Sequence, residues 1–398
     1  MLFTTTHNPK PLIMATSREE LDTPRYGSDR WLLGSIILLM MFGVLAVYSS
    51  IAFFAETKGT SAGNLIVGHI IKAGMALSVM LTLSKIPYRN ILKFSRILLL
   101  LSWVFLIIVM VYGQSTFGAK RSLTVGGFSF QPSTIAAFSL FLHLVVLLDA
   151  KKAYIKQFKR SFIPIMFWVI VTCLLIGIED FSSSAVVFAI ALAIMFVGRI
   201  SYHHLGGLVV IGLLGGALLV FSSQERQRRV HNYIDQVITI KSDDFAGDEG
   251  YQSQQSQIAV ARGEIFGVGI GKSGQRDFLP APYNDFIFAI IAEEYGLLGG
   301  LFVMGIYVFI LLRGTVYIAK NAHDDKGKLL AVACTLSITT YAFINAAVAV
   351  GLLPVTGLPM PFISYGGTSM IFTGAMAGIL LNISRKGKKI EKEPNDVE

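Results

Sequence analysis

Ten apolar runs punctuate the chain. They lie near residues 31–54, 65–84, 96–112, 132–149, 161–178, 183–199, 205–222, 286–312, 329–350 and 367–384. Each is close to the roughly 20 residues a helix needs to cross a hydrocarbon core. A backbone in lipid must satisfy its own hydrogen bonds, so these runs are expected to be helices. The expected fold is an all-α polytopic membrane protein of about ten transmembrane helices, with one large extracytoplasmic loop, 223–284, between helices 7 and 8. The expected divisions are an N-terminal tail (1–30, with Pro9, Pro11 and Pro24), a membrane domain (31–384) and a C-terminal tail (385–398).

Composition agrees. Of 398 residues, 53% are hydrophobic and only 15% charged, against about a quarter charged in soluble domains. The net charge of +9 is read as basic cytoplasmic loops rather than a nucleic-acid surface. With the N-terminus in the cytoplasm, the cytoplasmic segments hold 23 Lys and Arg and the short outer segments three. That bias places both termini in the cytoplasm. No cleavable signal peptide is expected, because residues 1–30 are polar and the first apolar run is too long for one. Cys173 and Cys334 both fall inside apolar runs, so no structural disulfide is expected.

Most familiar motifs fail on context. Gly269-Ile-Gly271-Lys-Ser-Gly274 matches GxGxxG formally, but no strand is expected before it and no helix after it. Close backbone approach, to a partner helix or a phosphate, is the better reading of these glycines. The pairs Gly212–Gly216, Gly296–Gly300 and Gly374–Gly378 read as close helix packing. The seven histidines show no metal-ligand spacing, and Asp243, Asp244, Asp248 and Glu249 read as a solvated loop face. Ser364 lacks the surroundings of a hydrolase nucleophile.

Charges at membrane depth are informative because burying them is costly. Lys72 lies inside the second run, with snorkelling to the interface as its plain alternative. Glu179-Asp180 occupy a very short turn. Glu293 and Glu294 follow Asp285 by eight and nine residues, about 12–14 Å along a helix. With Arg121, these residues all fall toward the outer half, which implies a polar cavity open to the outside. Asp285 itself stands directly before an apolar helix, where Asp is an ordinary N-cap. The helix dipole there would make it a weaker base, and desolvation would do the opposite.

Four stretches together resemble a known family: Gly118-Ala119-Lys120-Arg121, Phe130-Gln131-Pro132-Ser133, LPAPYNDFIFAIIAEEYG (279–296) and GLLPVTGLPMPFISYGGTS (351–369). The resemblance is to the SEDS family of division, elongation and sporulation proteins. It runs from about Asp29 to Arg385 and is strongest to the division branch. It implies a peptidoglycan glycosyltransferase that polymerises lipid II at the division septum, within the bacterial cytoplasmic membrane. The family's essential aspartate falls on Asp285, which would act as general base. Arg121 and Lys72 fall on family positions suited to the diphosphate, and Gln131, Asp180, Lys272 and Glu294 complete the expected substrate-binding set. The implied partners are a class B penicillin-binding protein and other division proteins, with no nucleic acid. The resemblance fixes no cofactor; a divalent cation (Mg or Mn) assisting the diphosphate is the candidate, and the sequence shows no ligand set for one.

The chain departs from the family pattern at several points. Ser122 follows Arg121 where Trp is usual. Thr134 and Ala137 replace the Glu and Lys of Q-P-S-E-x-x-K, and Ala281 and Asn284 replace the Glu and Ser/Thr of the aspartate motif. A lipid II flippase and a non-catalytic division scaffold are the alternative readings.

Overall fold

The computed structural model describes residues 27–58, 62–116, 119–125, 128–239, 248–279 and 282–385. Most of both expected tails, 1–26 and 386–398, lies outside these residues. Helices occupy all ten apolar runs. In chain order come α1 (Arg30–Lys58), α2 (Ala62–Lys85), the short α3 (Tyr88–Lys93), α4 (Ser95–Tyr112), α5 (Pro132–Ala150), α6 (Ile163–Glu179), α7 (Phe181–Val197) and α8 (Tyr202–Phe221). After them come α9 (Gln224–Thr239), α10 (Asp248–Arg262), α11 (Ile287–Leu312), α12 (Asp325–Ala349) and α13 (Thr368–Arg385). Eight of the described helices are long and apolar enough to cross a membrane. The other two in apolar runs are α7, with 17 residues, and α13, which mixes Thr, Ser and Asn into its apolar sequence.

Two polar segments are more structured than expected. The segment after α4 folds as an antiparallel meander of β1 (Gln114–Thr116), β2 (Ala119–Val125) and β3 (Phe128–Phe130), with Leu123 opposite Phe130. Three short strands that pair with one another leave few backbone groups needing water, so they suit a polar rim. The segment 223–284 is not an open loop, because it carries α9 and α10. Val230, Tyr233, Ile234 and Val237 recur at three- and four-residue spacing, the pattern of an amphipathic helix.

Helices α5 and α12 form the centre, each with 72% of its apolar window buried, whereas only 6% of that of α8 is. The tightest helix contact joins the two ends of the chain. A β-carbon on Gly374 would stand 2.6 Å from the Ala76 carbonyl oxygen, and one on Gly378 2.5 Å from that of Met80. The spacing of these glycines therefore lets α13 lie backbone-to-backbone on α2. Gly212 and Gly216 instead face the rings of Phe188 and Phe181.

Polar clasps close one end of the bundle. Asp29 pairs with Arg313 at 2.7 Å, and its N–H donates to Ser384 Oγ. The buried Asn382 side chain accepts from the Tyr88 N–H and donates to the Ser84 carbonyl. Asp324, the N-cap of α12, accepts from the Gly327 N–H, the Tyr88 hydroxyl (2.6 Å) and Arg89 (3.0 Å).

Candidate active site

The stretch that carries Asp285 leads into a broken helix. Within α11, Gly296 takes φ 68° and ψ −168°, so the helix stops and restarts. Such a break inside an apolar segment frees backbone groups that lipid cannot satisfy. The glycine-rich segment after α10 satisfies them. Val268 and Gly269 donate to the carbonyls of Glu293 and Glu294, while Leu297 and Leu298 donate to those of Glu264 and Ile265. The approach leaves no room for side chains. A β-carbon on Gly267 would lie 2.2 Å from the Glu294 carbonyl oxygen, and one on Gly296 2.4 Å from the Gly267 nitrogen. The tight approach is made by Gly267, just before the expected glycines; of those, Gly269 reaches α11 through its N–H, whereas Gly271 has nothing within 4 Å of an added β-carbon. Gly296 itself is a break point, not half of a helix-packing pair.

Glu293 fastens this joint. Fully buried, it accepts from Ser273 Oγ, from the Gly274 N–H (3.1 Å) and from the Gln275 N–H (3.3 Å), and it pairs with Arg262 at 3.4 Å. Glu294 turns the other way, accepting from the Ser49 hydroxyl of α1, and is 2% exposed. Lys272 stands exposed on the turn. No described contact joins Glu294 or Lys272 to the Asp285 turn described next.

Asp285 is not the helix cap. The N-cap of α11 is Phe286, and no side chain caps it. Asp285 sits half-buried in the preceding turn, where its Oδ1 accepts from Asn284 Nδ2 at 2.7 Å. Two further bonds pin this turn. Asn345, buried in α12, donates to the Asp285 carbonyl at 2.8 Å and to that of Leu358 at 2.9 Å. Ser364 Oγ donates to the Asn284 carbonyl and accepts from the Met360 N–H, both at 2.7 Å. So Ser364 is a brace, and the PFISYGG segment is the floor on which the aspartate turn rests.

Tyr365 extends that floor toward a cation. Its N–H donates to the Tyr283 carbonyl at 2.9 Å, and its ring meets the Tyr283 ring edge-on. Lys72 Nζ lies 3.9 Å from the centroid of the Tyr365 ring, and His69 stacks on the same ring. Burial, with Tyr365 and Asp285 alongside, raises the pKa of the Tyr283 phenol above its ordinary value. Lys72, Tyr365, Tyr283, Asn284 and Asp285 thus form one continuous polar and aromatic chain from α2 to α11. The cation–π contact turns the half-buried Lys72 toward the Tyr365 ring.

A cavity of about 50 Å³ adjoins the floor, room for a few waters. Gln131, Thr134, Ala137, Ser183, Tyr341 and Ser364 are among its walls. Gln131 also fixes α5 to α13 through its N–H, which donates to Thr368 Oγ1. Asp180 does not face the Asp285 turn in any described contact. It caps α7, accepting from the Ser183 N–H and hydroxyl at 3.0 and 2.7 Å, and is 4% exposed. Arg121 stands on β2, and its side chain is not among those described. No three His, Cys, Asp or Glu among the described residues gather closely enough to hold a metal ion. Two contributors were missed from sequence, Asn345 and Tyr365. A lone Asn within an apolar run was the available signal for the first.

A family model described as cell cycle protein, covering FtsW, RodA and SpoVE, matches residues 30–389. The chain belongs to this family. Stage V sporulation protein E of Bacillus subtilis is 32% identical over 92% of this chain and 99% of its own. A protein of the same organism named probable peptidoglycan glycosyltransferase FtsW is 32% identical over 92% of this chain and 94% of its own. Among solved structures, one reported under structural coordination of polymerization and crosslinking by a peptidoglycan synthase complex superposes with a TM-score of 0.71 at 23% identity, covering 90% of this chain and 98% of that one. RodA of Thermus thermophilus gives 0.65 at 22% identity, over 90% and 97% of the two chains. These structures share the FtsW/RodA/SpoVE fold with this chain.

Proposed function

We propose that this chain is a peptidoglycan glycosyltransferase that polymerises lipid II on the outer face of the bacterial cytoplasmic membrane, at the division septum, with both termini in the cytoplasm. One observation carries the reading: the Asp285 turn is braced from α12 and from the PFISYGG floor, and the same floor holds an inward-facing Lys72. A carboxylate and an ammonium at one braced site suit a displacement at an anionic lipid. Relatives named probable peptidoglycan glycosyltransferase FtsW support it.

The acceptor sugar presents its 4-hydroxyl to Asp285. The hydroxyl oxygen attacks C1 of the donor sugar while the bond from C1 to the diphosphate oxygen breaks. The proton passes to Asp285, and the bonding pair leaves with undecaprenyl diphosphate. Attack opposite the leaving group inverts C1. A diphosphate leaves without an acid, so the protein's second task is to hold its charge. Lys72 is placed for that work, and Arg121 on the adjoining meander is assigned to it as well. Asn284 orients the carboxylate, and Asn345 and Ser364 fix its backbone. The glycan would pass to a class B penicillin-binding protein for cross-linking, consistent with the complex described for a structural relative.

Labelled lipid II and the purified protein, with and without that partner, test the reading. Asp285→Ala should abolish chain growth while the melting temperature stays within a few degrees of wild type. Full activity in that variant would reject Asp285 as base. Lipid transfer across liposomes without chain growth would point to a flippase. Retained partner binding with no dependence on Asp285 would point to a scaffold.

A further inference from the structure

Around the break in α11, Glu294 alone of the described carboxylates lacks a basic partner. Glu293, Glu294 and Asp277 gather where α1, the turn at 273–277 and the first half of α11 meet. Glu293 pairs with Arg262 at 3.4 Å, and Asp277 with Arg276 at 3.5 Å. Glu294 is 2% exposed, and its Oε1 accepts from the Ser49 hydroxyl. Its Oε2 meets no donor among the described residues. A carboxylate held this far from water is costly unless a positive charge joins it. Three carboxylates against two arginines leave this joint one positive charge short.

Oxygen is what the joint offers. Arg276 Nη1 donates to the Ser49 carbonyl at 3.0 Å, which ties the turn to the residue that also bonds Glu294. Next to Arg276, Gln275 is 7% exposed and donates its N–H to Glu293, while its buried Oε1 has no partner among the described residues. The buried Tyr295 hydroxyl, next along α11, has none either. Carboxylate, amide and hydroxyl oxygens suit a hard cation. The helix adds to this set. It stops at Gly296, so its first half ends directly after Glu294 and Tyr295 and carries partial negative charge there. Broken helices in membrane transporters hold Na⁺ at such ends.

We propose that one monovalent alkali cation binds here, between the Glu294 carboxylate and the Gln275 amide oxygen, and fastens the turn at 273–277 to α1 and to the break in α11. The charge count sets the valence, because a divalent ion would exceed the single charge that is missing. A proton on Oε2 is the competing source of positive charge. It serves one acceptor, whereas a cation draws several oxygens together. No described contact joins Glu294 to the Asp285 turn, so the ion belongs to the architecture and not to the departing diphosphate.

Thermal unfolding of the full-length protein in mild detergent tests this, with sodium chloride, choline chloride and magnesium chloride as probes at equal ionic strength. Sodium should raise the melting temperature of wild type by about 2–4 °C over choline. Glu294→Gln needs no counter-charge, so it should show no sodium shift and should melt in choline no lower than wild type. Gln275→Leu keeps the carboxylate and loses one oxygen, and should raise the half-saturating sodium concentration about tenfold. Asp285→Ala should keep the full sodium shift. Equal melting temperatures of wild type in sodium and choline overturn the proposal, whether or not the variants fold, and leave the proton as the charge on Glu294. So does a sodium shift that persists in Glu294→Gln, one that vanishes in Asp285→Ala, a half-saturation unmoved in Gln275→Leu, or a shift given by magnesium alone. None of these readings depends on glycosyl transfer.

Discussion

The turn that carries Asp285 is held through its backbone as well as through the carboxylate. Two neighbours, Asn345 and Ser364, make hydrogen bonds to the backbone of this turn that would survive loss of the carboxylate. This is why its removal should silence chemistry and spare folding. Tyr365 has the opposite character, because its ring is the contact. Tyr365→Phe keeps the face that Lys72 meets, whereas Tyr365→Leu removes it. With cation–π contacts worth about 0.5–2 kcal/mol, the Leu variant should lose roughly 2- to 30-fold in kcat/KM for lipid II, and the Phe variant should stay near wild type. Steady-state polymerisation assays check both. Lys72 and Asp285 were legible as single residues, because charge at an apolar run is improbable without a use. The ring between them was not, since a tyrosine 80 residues from Asp285 gives no hint of where it stacks. The N-cap expectation failed because the chain turns once more, at Phe286, before the helix begins.

Among elements, α11 and the glycine segment that docks on it are one unit built from two distant stretches. Gly296→Ala would place a side chain at positive φ, 2.4 Å from both the Ile265 carbonyl oxygen and the Gly267 nitrogen. Strain of about 1–3 kcal/mol plus that collision should collapse the yield of monodisperse protein and lower its melting temperature. Gly305, on the same helix, has nothing within 4 Å of an added β-carbon. Gly305→Ala should be neutral or slightly stabilising by the same measurements. The ten apolar runs were legible because each must satisfy lipid by itself. The break in α11 was not, because its partner groups come from residues 263–269. Hydrophobic length also hid α9, whose amphipathic spacing was present but embedded in charge, and the meander, whose strands become stable only by pairing.

At the scale of the molecule, ionised clasps hold the end that carries Asp324. Burial pushes the Asp324 carboxyl upward, and hydrogen bonds from Tyr88, Gly327 and Arg89 outweigh it, so its pKa lies below the ordinary value. A depressed carboxylate contributes stability above its unfolded pKa, about 3.8, and loses it as pH falls through the folded value. Asp324→Asn retains the cap and removes the charge. It should be less stable than wild type at pH 7, by on the order of 1 kcal/mol, and its melting temperature should approach that of wild type as pH falls below about 3.8. A gap that stays constant across that range would show that the ionised form contributes nothing.

The backbone-to-backbone contact of α2 with α13 has a consequence in time. Ser84 and Asn382, which bond across it, are 298 residues apart. At about 5–20 residues per second of synthesis, the early helix is inserted roughly 15–60 seconds before its mate leaves the ribosome. For that interval its glycine-fitting groove is open to lipid and to every other newly inserted helix. A factor that shelters nascent spans would have to hold α2 until α13 arrives.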